Sequence, residues 1–77
     1  MKTTADWKAQ GKQLIRAELK RRDLSYVDLA QRMEAIGLKV NDRTLANKIA
    51  TGAFSAVFFL QVMEAMGVKN LPLDTGN

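Results

Sequence analysis

Apolar residues along the chain recur at intervals of three and four, and no stretch alternates as a strand would, so the sequence predicts helices throughout. The breaks between these patterns fall at Asp23, Gly37, Gly52 and Gly67, and the single proline, Pro72, lies near the end. A first helix is predicted from about Thr4 to Arg22. Thr3 or Thr4 can accept hydrogen bonds from its orphan amides, and Asp6 suits its positive end. Trp7, Leu14, Ile15 and Leu19 give it a buried face, with Gly11 between them allowing close approach. Glu18 falls on the apolar side with Arg22 one turn later, a spacing that predicts an internal ion pair.

The next three helix starts share one device. Ser25 can cap a helix with Asp28 three residues on, and Leu24 and Leu29 bracket it as a hydrophobic staple. Asn41 between Val40 and Leu45, and Ser55 between Phe54 and Phe59, repeat the staple. These signals predict helices at 25–36, 41–51 and 55–66. Gly37 and Gly67 are predicted to close helices 2 and 4, with Leu38 folding back on Met33 and Val68 on Met63, while Asp23 takes the left-handed turn after helix 1. Gly37–Val40 has the length and composition of a helix-turn-helix connection. The expected fold is all-α: one domain over 1–77, with its core at about 4–68 and a tail at 69–77.

Helix 4 is apolar over well over half its circumference, with Gln61 and Glu64 its only strongly polar positions. Its surplus apolar face has to be covered by helix 1, by Leu71 and Leu73 of the tail, or by a second copy of the chain. Phe58, Leu60, Met63 and Met66 are therefore the candidates for self-association as a homodimer.

Composition removes several classes of function. With no Cys and no His, there is no disulfide, thiolate metal site, cysteine nucleophile or imidazole acid–base chemistry. Ser25 and Ser55 are accounted for as caps, and the Gly11-Lys12 pair lacks a phosphate-binding loop, so neither an enzyme nor a cofactor or metal is expected. The apolar run from Ala53 to Gly67 is too short and interrupted to span a bilayer, and the N-terminus lacks the apolar core of a signal peptide; the expectation is a cytoplasmic protein with no membrane partner.

The net charge of +4 and a pI near 9.8 matter mainly through their placement. Residues 2–22 hold seven basic and two acidic side chains, whereas residues 23–77 hold five basic and six acidic. Lys8, Lys12, Arg16 and Lys20 are spaced by four along one ridge of helix 1 that drifts gradually around it, roughly opposite Trp7 and Leu14 and with no acid interleaved, and they are the candidate phosphate contacts. On helix 3, Leu45, Ala46 and Ile49 face inward. Arg43, Asn47, Lys48 and Thr51 are left outward; arginine and asparagine can read guanine and adenine edges by paired hydrogen bonds, so these four are the candidate base readers. An ordinary amphipathic surface helix offers similar residues.

Leu24 to Ala30, then Thr44 to Gly52, then the apolar helix closing on Ala65-Met66-Gly67-Val68, resemble the lambda-repressor-like (Cro type) helix-turn-helix domains over roughly residues 12–70. That resemblance implies a four- to five-helix domain binding duplex DNA as a transcriptional regulator, with helix 3 at the groove. The chain departs from the pattern in having Glu34 where a glycine follows the small residue of helix 2 by four positions, and Ala50 where a Glu is usual near the end of helix 3. Leu19 to Arg22 and Gly52 to Ala56 also resemble an uncharacterised family of small bacterial helical proteins. The alternative to DNA binding is a protein-interaction or oligomerisation module with helix 4 as its surface.

Overall fold

Capping chemistry decides where each helix begins. In the computed structural model, which describes residues 1–71, α1 spans Thr4–Arg21, α2 Tyr26–Ala35, α3 Asp42–Thr51 and α4 Ala56–Met66. Thr3 and Ser25 head complete capping boxes: each side-chain oxygen accepts from the amide three residues on, and Asp6 and Asp28 accept from the cap amides. Those bonds from the cap N–H and hydroxyl groups hold the carboxyls of Asp6 and Asp28 below the ordinary aspartate value. Asn41 and Ser55 cap α3 and α4 with no acid at the third position. The staple of α4 is visible as the stacked rings of Phe54 and Phe59, 6.0 Å apart.

The helix exits follow the predicted pattern. Asp23, Gly37 and Gly67 all take positive φ, and Leu24, Leu38 and Val68 donate back to the carbonyls of Leu19, Met33 and Met63. Asp23 does this at φ 54 despite its side chain.

The four helices close a ring. α1 and α2 each pack on both α3 and α4, while the backbones of α1 and α2 do not approach one another, and neither do those of α3 and α4. Ile15, Leu19, Leu29, Met33, Leu45, Ile49 and Val62 fill the middle, joined by Phe58, Met63, Ala65 and Met66. Glu18 is buried among them, 1 % exposed, with Arg21 Nη1 at 2.7 Å from one carboxylate oxygen and Arg22 Nε at 3.5 Å from the other. The predicted pairing with Arg22 is thus present, and Arg21 makes the shorter contact.

Two expectations about apolar residues need correcting. Trp7 is half exposed, with the Lys2 ammonium 4.9 Å from its ring centroid. The first buried residue of α1 is Ile15, and the earlier turns run past the core. Phe58, Met63 and Met66 are buried in this chain's own core, so they offer no surface to a partner; of the four self-association candidates only Leu60 is exposed, at 64 %, beside Val57 at 65 %. α4 buries more of its circumference than a single inward stripe because both α1 and α2 lie against it. Leu71, one of the alternatives for covering helix 4, packs partly buried against the core, and Leu73 lies outside the described residues.

Candidate nucleic-acid interface

The ridge on α1 does not stay on one side. Each step of four residues advances about 40° round a helix, so Lys8, Lys12, Arg16 and Lys20 wind progressively away from the inward direction set by Ile15. Lys8 and Lys12 are turned toward the end of α3, where they line a shallow depression with Ala5, Ala9 and Thr51. Arg16 and Lys20 are exposed further round.

Gly52 fixes that seating. It holds φ 67 at the end of α3, and a Cβ placed there would lie 2.5 Å from the Lys8 carbonyl oxygen. Only glycine combines this conformation with such an approach. Gly11, further along the same helix, lies against the Phe54 ring, which a Cβ would meet at 3.3 Å. α1 is therefore clamped to the α3–α4 connection at two successive points.

The cations divide by what they already touch. Arg21 and Arg22 are paired with Glu18, and Lys2 donates to Gln10 Oε1 at 2.8 Å while lying over Trp7. Among the described residues, Lys8, Lys12, Arg16 and Lys20 make no ion pair. The four cations singled out by spacing are thus the four of the N-terminal helix left without an ion-pair partner among the described residues.

On α3 the outward strip is narrower than the sequence implies. Leu45 and Ile49 define the inward line, and the helical angle of about 100° per residue puts Asn47 opposite it, with Arg43 and Thr51 about 40° to either side. Arg43 and Asn47 are exposed and make no side-chain hydrogen bond or ion pair among the described residues. Thr51 is different: its hydroxyl donates to the Lys48 carbonyl at 2.8 Å and accepts from the Ala53 amide at 3.1 Å, so it serves the end of the helix. Lys48 lies on the flank, with its ammonium 4.6 Å from the Phe58 ring centroid. Of the four candidate readers, Arg43 and Asn47 remain fully available.

One feature that sequence reasoning did not identify is a cleft between α3 and α4, floored by Met33, Leu38, Val40 and Phe58. Its signal is the helix ring itself, which local pattern does not encode. Among the described residues no group of acidic side chains could hold a metal ion. No helix among them is long and apolar enough to cross a membrane.

These elements define a small all-α domain of four helices. The chain belongs to the family described as a domain of unknown function, DUF6471, whose model matches residues 7–71. That membership fits the resemblance to small uncharacterised helical proteins carried by Leu19 to Arg22 and Gly52 to Ala56. No curated protein and no solved structure matches the chain.

Proposed function

We propose that this chain binds duplex DNA, with α2 and α3 acting as a helix-turn-helix pair, Arg43 and Asn47 at base edges, and Lys8 and Lys12 on the phosphate backbone beside them. The observation that carries this reading is the seat of α1 on Gly52. It sets two unpaired lysines next to Thr51, one turn beyond Asn47, so that unpaired cations and unpaired hydrogen-bonding groups adjoin along α3. Phosphate contacts position a protein and base contacts specify the site, and the arrangement offers side chains for both. The resemblance to repressor-like domains supports the same assignment; a regulator of transcription follows from it.

A titration against mixed-sequence duplex at two salt concentrations tests the proposal. Binding should weaken with salt, and Lys8→Gln with Lys12→Gln should reduce the log–log slope by about one unit per lost contact, all sequences being affected alike. Arg16→Gln with Lys20→Gln should change it less, because these two have turned away from α3. No salt-dependent binding, or equal effects from both pairs, overturns this geometry.

The second reading is a protein-interaction or oligomerisation surface on α4. Val57 and Leu60, each about two-thirds exposed and adjacent on the helix, are the observation in its favour. Sedimentation across a concentration range tests it; a monomer at tens of micromolar removes the homodimer.

A further inference from the structure

We infer that the cleft between α3 and α4 is a binding site for a small monocarboxylate with an apolar body. The ring arrangement creates it: α3 and α4 both pack on α2 but their backbones do not meet, which leaves a gap of about 220 Å³ between them. Its floor is Met33, Leu38, Val40 and Phe58, of which Met33 and Phe58 are buried, at 1 % and 7 % exposure. Lys39 and Lys48 stand at its margin, and among the described residues no acidic side chain lines it. Glu34 and Lys39 both line a neighbouring depression, and Glu34 is not among the residues that line the cleft.

Charge and shape together select the occupant. Lys48 has no carboxylate partner among the described residues; its ammonium lies over the Phe58 ring, at the boundary between apolar floor and solvent. A carboxylate there would gain a charge-assisted bond from an ammonium that now has only an aromatic face. The apolar floor calls for a hydrocarbon body in contact with that charge, which a bare inorganic anion lacks. A volume below the roughly 300–1,000 Å³ of drug-sized pockets suits a body of a single ring or a short branched chain. Two lysines as point charges suit one carboxylate better than a polyphosphate, which calls for a denser set of donors.

The site stands apart from the nucleic-acid reading, although Thr44 and Lys48 belong to α3 and an occupant would neutralise charge on that helix. The test is therefore made without DNA. Proton–nitrogen correlation spectra of the full chain are recorded during titration with phenylacetate and 4-methylpentanoate, with phenylacetamide as the uncharged analogue. The expected result is saturable shifts at the amides of residues 38–40, 44–48 and 57–61 with a millimolar dissociation constant for at least one acid, and weaker binding of the amide. Lys39→Met with Lys48→Met, which keeps the apolar stems, should weaken that acid about threefold or more, while Lys12→Met leaves it unchanged; an unaltered spectrum away from the substituted positions verifies the fold. Non-saturating shifts with both acids, equal binding of acid and amide, or shifts centred on Lys8 and Lys12 would overturn the assignment.

Discussion

α3 and α4 occupy equivalent places in the ring and begin alike, yet they are used differently. Each packs on both α1 and α2, is capped by a polar side chain with no acid at the third position and ends on a left-handed glycine. α3 commits only Leu45 and Ile49 to the core and presents Arg43 and Asn47 outward; α4 commits Phe58, Val62, Met63, Ala65 and Met66. The contrast separates support from display. α4 anchors the domain, which leaves the outward side of α3 free of any packing duty, and an unpaired strip on an otherwise well-anchored helix is where recognition can be placed at little cost to stability.

The largest expected effect tests whether α4 is the anchor. Met63→Ala should cost about 2–5 kcal/mol in urea unfolding, because its side chain is 4 % exposed, whereas Leu60→Ala should stay within about 0.5 kcal/mol. A Leu60→Ala cost comparable to that of Met63→Ala would mean that the exposed side of α4 is covered in solution, and the distinction between the two helices would narrow.

Next come the two closing glycines. Both Gly52 and Gly67 are left-handed, but a Cβ at Gly67 meets nothing within 4 Å among the described residues and one at Gly52 meets the Lys8 backbone. Gly67→Ala should cost about 1–2 kcal/mol from backbone conformation alone. Gly52→Ala should cost more, since α1 or the α3 exit has to move, and it alone should perturb the amides around Lys8. Equal costs would show that the α1 seat is soft.

The third expectation addresses α3 directly. Arg43→Ala or Asn47→Ala should lose about 1–3 kcal/mol on a preferred duplex site while barely changing binding to random sequence or thermal stability. Binding by a randomised duplex pool, followed by titration of the selected site, reads this. Loss on every sequence alike would assign α3 to phosphates rather than bases.

The smallest effect separates the paired caps of α1 and α2 from the single caps of α3 and α4. Asp6 and Asp28 have folded values below the ordinary 3.8 because the Thr3 and Ser25 amides bond to them. A depressed carboxylate adds stability above the unfolded value and loses it as the pH falls through the lower folded one. Acidification below about 4 should therefore lower the protection of the Thr3 and Ser25 amides, relative to their intrinsic exchange rates, first, with the caps at Asn41 and Ser55 holding until global unfolding. Asp28→Asn should remove the acid sensitivity at Ser25.

Helix existence and both kinds of terminus were legible in the sequence because they rest on local chemistry: a cap with its acid at Ser25 and Asp28, a staple at Phe54 and Phe59, a left-handed exit at Gly67. The unpaired state of Lys8 and Lys12 was legible in part, since no acid is interleaved on their ridge. The exposure of Trp7, the identity of the neighbour that Lys8 and Lys12 face, and the burial of Met63 and Met66 were not legible. Each depends on which helix lies against which, and a periodic pattern gives the inward direction of a helix without saying how far its neighbours extend. Helix 4 shows this most clearly: its broad apolar circumference suits a partner chain and a double intramolecular contact equally well, and only the ring of helices distinguishes them.

The absence of backbone contact between α1 and α2 has a consequence for the order in which the domain assembles. Neighbouring segments usually supply the inexpensive, local part of a folding reaction. Here only α2 and α3 make such a neighbouring contact, while α1 makes its own with α3 and α4 alone, across the intervening chain, as in the meeting of Lys8 with Gly52. The helix with the largest share of the basic residues is thus the one whose docking closes the longest loops, so its docking comes late in assembly. An anion held jointly by Lys8 and the end of α3 would bind only the docked arrangement, and by mass action its concentration would set how much of the time that helix is in place.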